Sequence, residues 1–177
     1  MRKRVIFMAG GVLLLLVVIG VFAQQQNQSK NEIQAYAIAV NDVGLAHILL
    51  SRMNEKTESG NVDQLELNET LNNSNALMNQ AKSIFKNLRD NTKNEKLKED
   101  LDLRLQQLDE YEGLHDDLEQ TGQLIGKASA VAQTEGPEGI AIYQEEIEAT
   151  LERQNNRFSR IESIQQRIRA LWQGLTD

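Results

Sequence analysis

Two hydrophobic patterns follow one another along the chain. The first is continuous: from Val5 to Ala23 the sequence VIFMAGGVLLLLVVIGVFA contains no charged residue. Built as a helix it spans about 28 Å, close to the thickness of a hydrocarbon core. MRKR precedes it and QQQNQSK follows it. A basic flank stays on the cytoplasmic side of a membrane, so the remainder is expected on the far side. Two readings are open. In one, residues 1–4 are a cytoplasmic tip, 5–23 a transmembrane signal-anchor, and 24–177 a periplasmic or extracellular body. In the other, the run is a signal peptide cleaved after Ala23, with Val21 and Ala23 as the small residues before the cut, and the body is secreted. The length of the run favours the anchor, since signal-peptide cores usually hold about 7–15 apolar residues.

The second pattern is periodic. Apolar residues recur at alternating steps of three and four, the spacing of a helix–helix seam. The first segment gives Ile33, Tyr36, Val40, Val43, His47 and Leu50. The second gives Leu67, Leu71, Ser74, Met78, Ala81, Phe85 and Leu88. The third gives Leu97, Leu101, Arg104, Leu108, Tyr111, His115, Leu118, Gly122 and Ile125. The fourth gives Ile140, Ile147, Leu151, Gln154, Phe158, Ile161, Gln165, Ile168, Trp172 and Leu175. Period-two alternation is nowhere sustained, so strands are not expected. Polar breaks at Glu58–Asn61, Asp90–Asn94 and Thr134–Pro137 separate the segments, the last joining a helix-ending glycine to a proline suited to a first turn. The spacing predicts helices over 30–57, 62–91, 95–134 and 138–175. Short connections make neighbours antiparallel, so the predicted fold is all-α, an up-down-up-down four-helix bundle. Its C-terminus is expected back near the membrane, with no second span after Trp172.

Charge and composition narrow the function. Nineteen basic residues oppose 26 acidic ones. Three of the basic residues lie in the tip (Arg2, Lys3, Arg4), which leaves the body at about −10. An acidic body repels phosphate backbones, and nucleic-acid binding is not expected. Absence of cysteine removes thiolate metal sites, disulfides and a cysteine nucleophile. His47 and His115 both fall on seam positions, but counting back from the distal turns puts them about 12 Å apart along the axis, too far for shared ligation. Glu112 and His115 have the Glu-x-x-His spacing of a carboxylate-bridged bundle, without the second copy such a centre needs. Nucleophile elbows, phosphate loops and dinucleotide fingerprints are lacking. No metal, cofactor or catalytic residue is therefore expected, and the chain does not read as an enzyme. Gly122 and Gly126 form a GxxxG in a polar helix, which points to close helix packing.

The polar seam residues Ser74, Arg104, Gln154 and Gln165 are expected to mark loose packing with partial solvent access; the alternatives are that they fix register or oligomer state, line a small-ligand site or face another subunit. The fourth segment is the basic one in an acidic body. Arg153, Arg157, Arg160 and Arg167, with Trp172, are candidate contacts to a protein partner or second copy along helix four. Near the membrane the arginines around Trp172 also suit lipid headgroups, with the indole at the interface.

The order of basic tip, single apolar span, Gln-rich juxtamembrane stretch and helical body resembles the extracytoplasmic four-helix-bundle sensor modules of bacterial chemoreceptors and histidine kinases. The stretches Asn41–Ala46 and Leu50–Met53, leading to Gly60-Asn61, carry that resemblance, which is one of architecture and not of a specific motif. It implies a sensor-like or scaffold module, although such receptors continue into a second span and a cytoplasmic signalling unit. The leading functional expectation is a non-enzymatic, membrane-anchored scaffold or accessory subunit of an envelope complex. The alternatives are a ligand-binding sensor acting through a partner, and a viral or phage envelope strut.

Overall fold

A computed structural model describes residues 30–173. The apolar run at 5–23 and Leu175 lie outside the described residues. The described residues form four α-helices: α1 (Lys30–Glu58), α2 (Gln64–Asn91), α3 (Glu95–Glu135) and α4 (Ala141–Gln173), with a 3-10 turn at Pro137–Ile140 between the last two. Among the described residues there is no strand.

The helix ends follow from local chemistry. Gly60, at φ +68°, terminates α1. Its N–H bonds the Thr57 carbonyl at 3.0 Å and the Asn61 N–H bonds that of Lys56 at 3.0 Å, a Schellman closure that needs a left-handed residue. The second helix starts two residues later than the spacing predicts because Asp63 caps it, its carboxylate accepting from the N–H groups of Leu65 and Glu66 at 2.8 and 3.0 Å. Asn94 does the same for α3, accepting from Lys96 and Leu97 at 3.1 and 3.2 Å. The fourth helix begins later than the predicted residue 138, after the tighter turn that Pro137 opens.

Helix α3 is central. It packs against α4, α2 and α1, while α1 packs mainly on α2 and barely meets α4. The buried set of α2 is Leu67, Leu71, Ser74, Met78, Ala81, Phe85 and Leu88, the seam read from spacing. On α1 the core line is Tyr36, Ala39, Val43, Ala46, Leu50 and Met53. Two small alanines turn inward there, and the bulkier Val40 and His47 sit at the core's edge. The central helix buries a second line, with Leu103, Gln107, Leu114, Asp117, Thr121 and Leu124, because partners flank it on both sides.

By length and composition α1 could also cross a membrane, since Asn31–Glu58 is long and apolar enough. A core helix meets the same test, and α1 contributes one side to the core.

The helices are staggered. Gln64, the first residue of α2, donates from Nε2 to the Gly122 carbonyl at 2.6 Å, while α3 runs on to Glu135. The α3–α4 hairpin therefore extends about 20 Å past the start of α2. Close approach at this level depends on Gly122, since a Cβ there would lie 2.1 Å from Leu67 Cδ2. Leu67 is in the core and has nowhere to go. Gly122→Ala should cost about 1–3 kcal/mol through overpacking. Gly44→Ala, in a helix with nothing within 4 Å of the new methyl, should gain about 0.5–1 kcal/mol. Urea denaturation of both variants, followed by circular dichroism, checks the pair. Equal midpoints would contradict the packing described.

Candidate functional site

Two polar networks tie the helices together. The first is built on Asp100, whose side chain is fully buried. Its Oδ2 accepts from the Tyr36 hydroxyl at 2.6 Å and from Arg104 Nε at 2.9 Å. Its Oδ1 accepts from the Trp172 indole N–H at 2.9 Å. Arg104 Nε also lies 2.7 Å from the Tyr36 oxygen. The guanidinium stacks over the rings of Tyr36 and Phe85, at 5.1 and 5.8 Å from their centroids. All four helices contribute: Tyr36 from α1, Phe85 from α2, Asp100 and Arg104 from α3, Trp172 from α4. Burial by itself would strip the proton from Arg104, but the adjoining Asp100 carboxylate and Tyr36 oxygen outweigh it and hold the guanidinium charged. Burial pushes the Tyr36 hydroxyl well above its ordinary range, so it stays a donor.

The second network centres on Asp117 and joins α3 to α4. Arg153 Nε bonds its Oδ1 at 3.0 Å and Arg157 Nε its Oδ2 at 2.6 Å. Arg157 and Arg160 reach Glu110 Oε2 at 3.4 and 2.9 Å. Gly113 makes room for Arg157, since a Cβ there would lie 2.1 Å from its Nη1. Beneath these, Gln154 Nε2 donates to the Asp117 carbonyl at 3.0 Å and to Thr121 Oγ1 at 2.6 Å.

The candidate contact residues thus fall in different places. Arg153, Arg157 and Arg160 have carboxylate partners within the chain. Arg167 is exposed and lines a shallow depression with Arg89, Lys98, Glu99 and Asp102. Trp172, a seam position that the sequence also offers to a partner or a lipid interface, is in the interior at 2% exposure, held there by Asp100.

Three of the four polar seam residues have internal partners. Arg104 and Gln154 belong to the two networks, and the Ser74 hydroxyl donates to the Leu71 carbonyl at 2.9 Å. Gln165 lies beside the buried Tyr111 hydroxyl. Hydrophobic spacing does not mark Asp100 and Asp117, which the structure buries. One signal was available: Asp100 and Arg104 sit four apart, with Arg104 on the seam line, and an arginine there needs a buried anion.

The histidines are nearer in height than the sequence suggests. The His47 ring packs edge-on against Tyr111 and Phe158, at 5.8 and 6.3 Å. Tyr111 precedes His115 by one turn, so the axial separation is about 6 Å. The count from the turns fails because the two hairpins are staggered. Glu112 pairs with Lys82 at 2.7 Å, and His115 lies 3.5 Å from Asp116. Among the described residues no group of three or more potential ligands could hold a metal. Both polar networks bridge different helices, and act chemically as clamps between them.

No protein family, curated protein or solved structure matches the chain.

Removing the carboxylate from the first network, Asp100→Ala, should cost about 3–5 kcal/mol, because it leaves Arg104 buried without its anion. Trp172→Phe, which keeps the ring and loses one donor, should cost nearer 1 kcal/mol. Thermal unfolding of both variants checks the ranking.

Asp42 behaves oppositely. It is buried, its Oδ2 has no hydrogen-bond partner, and burial raises its carboxyl above the ordinary value of 3.8. A raised folded value favours the native state at low pH and is a penalty once the pH passes it. Asp42→Asn should therefore raise the unfolding midpoint at pH 7, and the gain should vanish as the pH falls toward 4. A gain that is the same at both pH values would show that the Asp42 charge is not its source.

Proposed function

We propose that the chain is a membrane-anchored, non-enzymatic helical-bundle module that binds protein partners outside the cytoplasm. In this reading residues 5–23 hold it in the bilayer and the four helices run up-down-up-down. The Asp100 cluster then lies at the membrane end, since it gathers the start of α1, the start of α3 and the end of α4. The protruding α3–α4 hairpin is at the far end.

That hairpin is the observation that carries the reading. Beyond the level of Gln64 two helices continue without the other two to cover them. Ile142 is 74% exposed there, and Ile125, Val131, Ile140, Ile147 and Leu151 are only half covered. On α3 the stretch Gly122–Thr134 carries one charge, Lys127. The α3 side of the arm is thus partly apolar and nearly uncharged, while its α4 side carries Glu145, Glu146 and Glu148; a partly apolar surface of this kind suits a protein partner better than a nucleic acid. The two polar networks, which tie helices to one another, support a structural module.

Protease added outside spheroplasts should digest the body and spare the N-terminal tip, and the chain should resist carbonate extraction. A photo-crosslinker at Ile142 should trap a partner that the same group at Glu162, on the exposed side of α4, does not. A body shielded with the cytoplasm would overturn the topology, and equal trapping at both positions would overturn the arm as a contact. A mature start at Gln24 would replace the anchor by secretion.

A further inference from the structure

Helix α1 has more apolar surface than the bundle uses. Its most apolar 18-residue window has mean hydropathy 1.4, yet only 33% of it is buried. Opposite the core line of Tyr36, Val43 and Leu50, the side chains of Ile38, Leu45 and Ile48 are 42%, 44% and 37% exposed. Three of the five large hydrophobic residues exposed on the described surface are thus on one stripe of one helix. A helix that is apolar on both sides is normally covered on both.

We infer that this outer stripe of α1 is a parallel coiled-coil interface with a second copy of the same chain. The stripe reads Gln34, Ile38, Asn41, Leu45, Ile48, Arg52, with steps of four, three, four, three and four. That is the seam of a two-stranded left-handed coil. Asn41 lies within it, flanked by Ile38 and Leu45. An asparagine amide both donates and accepts, so it pairs with its own copy across a two-fold axis and sets register and parallel orientation.

Charge favours the same occupant. Between Glu32 and Arg52 the only charged residue of α1 is Asp42, which turns inward. Two acidic bodies repel each other over most of their surface and can meet along this neutral strip. The chain before α1 adds a third argument, which rests on the anchoring proposed above. The apolar run ends at Ala23, with six residues between it and Lys30. Two copies held in one bilayer therefore present their α1 helices side by side and pointing the same way.

The area decides where the dimer forms. A stripe from Gln34 to Arg52 is about 27 Å long and about 10 Å wide, roughly 270 Å² on each copy. Stable interfaces bury about 800 Å² per partner. The contact is accordingly weak between free bodies, and tethering in a shared membrane raises the effective concentration enough to populate it.

The chain has no cysteine, so single-cysteine variants of the full chain in native membranes report the contact directly. Mild oxidation of Ile38→Cys, Asn41→Cys and Leu45→Cys should give a species of twice the 20.0 kDa chain mass. The yield should be several-fold above Asn72→Cys on α2 and Glu162→Cys on α4, both exposed. Adding Leu45→Glu and Ile48→Glu to Asn41→Cys should abolish the cross-link while circular dichroism keeps its helical signal.

Equal yields at stripe and control positions would mean random collision and would overturn the interface. Absence of self-cross-links at the stripe would overturn it too. So would an intramolecular disulfide between Leu14→Cys and Ile38→Cys in one chain, which would show that residues 5–23 cover the stripe. Fractionation of the same samples tests the anchor separately. Stripe-specific cross-links in a chain not retained by membranes would support the dimer and remove the anchor.

Discussion

A carboxylate taken out of water has to be matched bond for bond, and Asp100 is matched from three helices at once. Tyr36 and Arg104 share its one oxygen, and the Trp172 indole takes the other. The cost of burying such a charge is several kcal/mol, so each missing partner is felt. An apolar set of the same volume would hold the helices together about as well. It would not fix their heights, because apolar contacts slide and directional bonds do not. Tyr36 lies within the first two turns of α1, Asp100 within the first two of α3, and Trp172 at the end of α4. Three helix ends are therefore pinned to one level, and every other contact inherits that level. Leu67 under Gly122 and Gln154 over Thr121 are consequences further along the same helices.

The Asp117 network performs the same task higher up, by a different economy. Asp117 is only slightly exposed and takes two guanidinium groups. Burial alone would lower the affinity of Arg157 for its proton, but Asp117 and Glu110 beside it more than offset that. Arg153, Arg157 and Arg160 thereby neutralise the acidic side of α3, whose charges would otherwise oppose packing. Close pairing in a partly buried strip is worth more than the exposed Lys98–Glu95 pair, which water screens.

Much of this was legible in the sequence, and what was not has a common cause. The seam of α2 came through whole because that helix has partners on one side only, so its buried set is a single line. The central helix buries two lines, and the second contains Asp117, Gln107 and Thr121, residues whose chemistry reads as surface until a partner is supplied. Ala39 and Ala46 were overlooked because a small residue gives little periodic signal, although close helix approach selects for it. The heights of His47 and His115 were misjudged because loop positions say nothing about stagger, and α3 outruns α1. Trp172 falls on the seam of the fourth segment, but its place near the chain end also suits a lipid interface. Its indole N–H, which needs an acceptor wherever it is buried, had one in Asp100, seventy-two positions away.

The inner and outer faces of α1 are not independent. Tyr36 and Ile38 are two residues apart and point to opposite sides of the same turn. Rotating α1 to draw Ile38, Leu45 and Ile48 into the core would pull the Tyr36 hydroxyl away from Asp100 and leave a buried charge short of a donor. It would also put Asp42 into solvent and bring Asn41 inward. The first network therefore holds the stripe outside, and α4 cannot close over it, since α1 and α4 barely meet. Water on three large aliphatic side chains is unfavourable, by about 25 cal/mol for each Å² left uncovered. With rotation blocked from within and no other helix among the described residues in reach, cover that relieves the exposure has to come from outside these four helices.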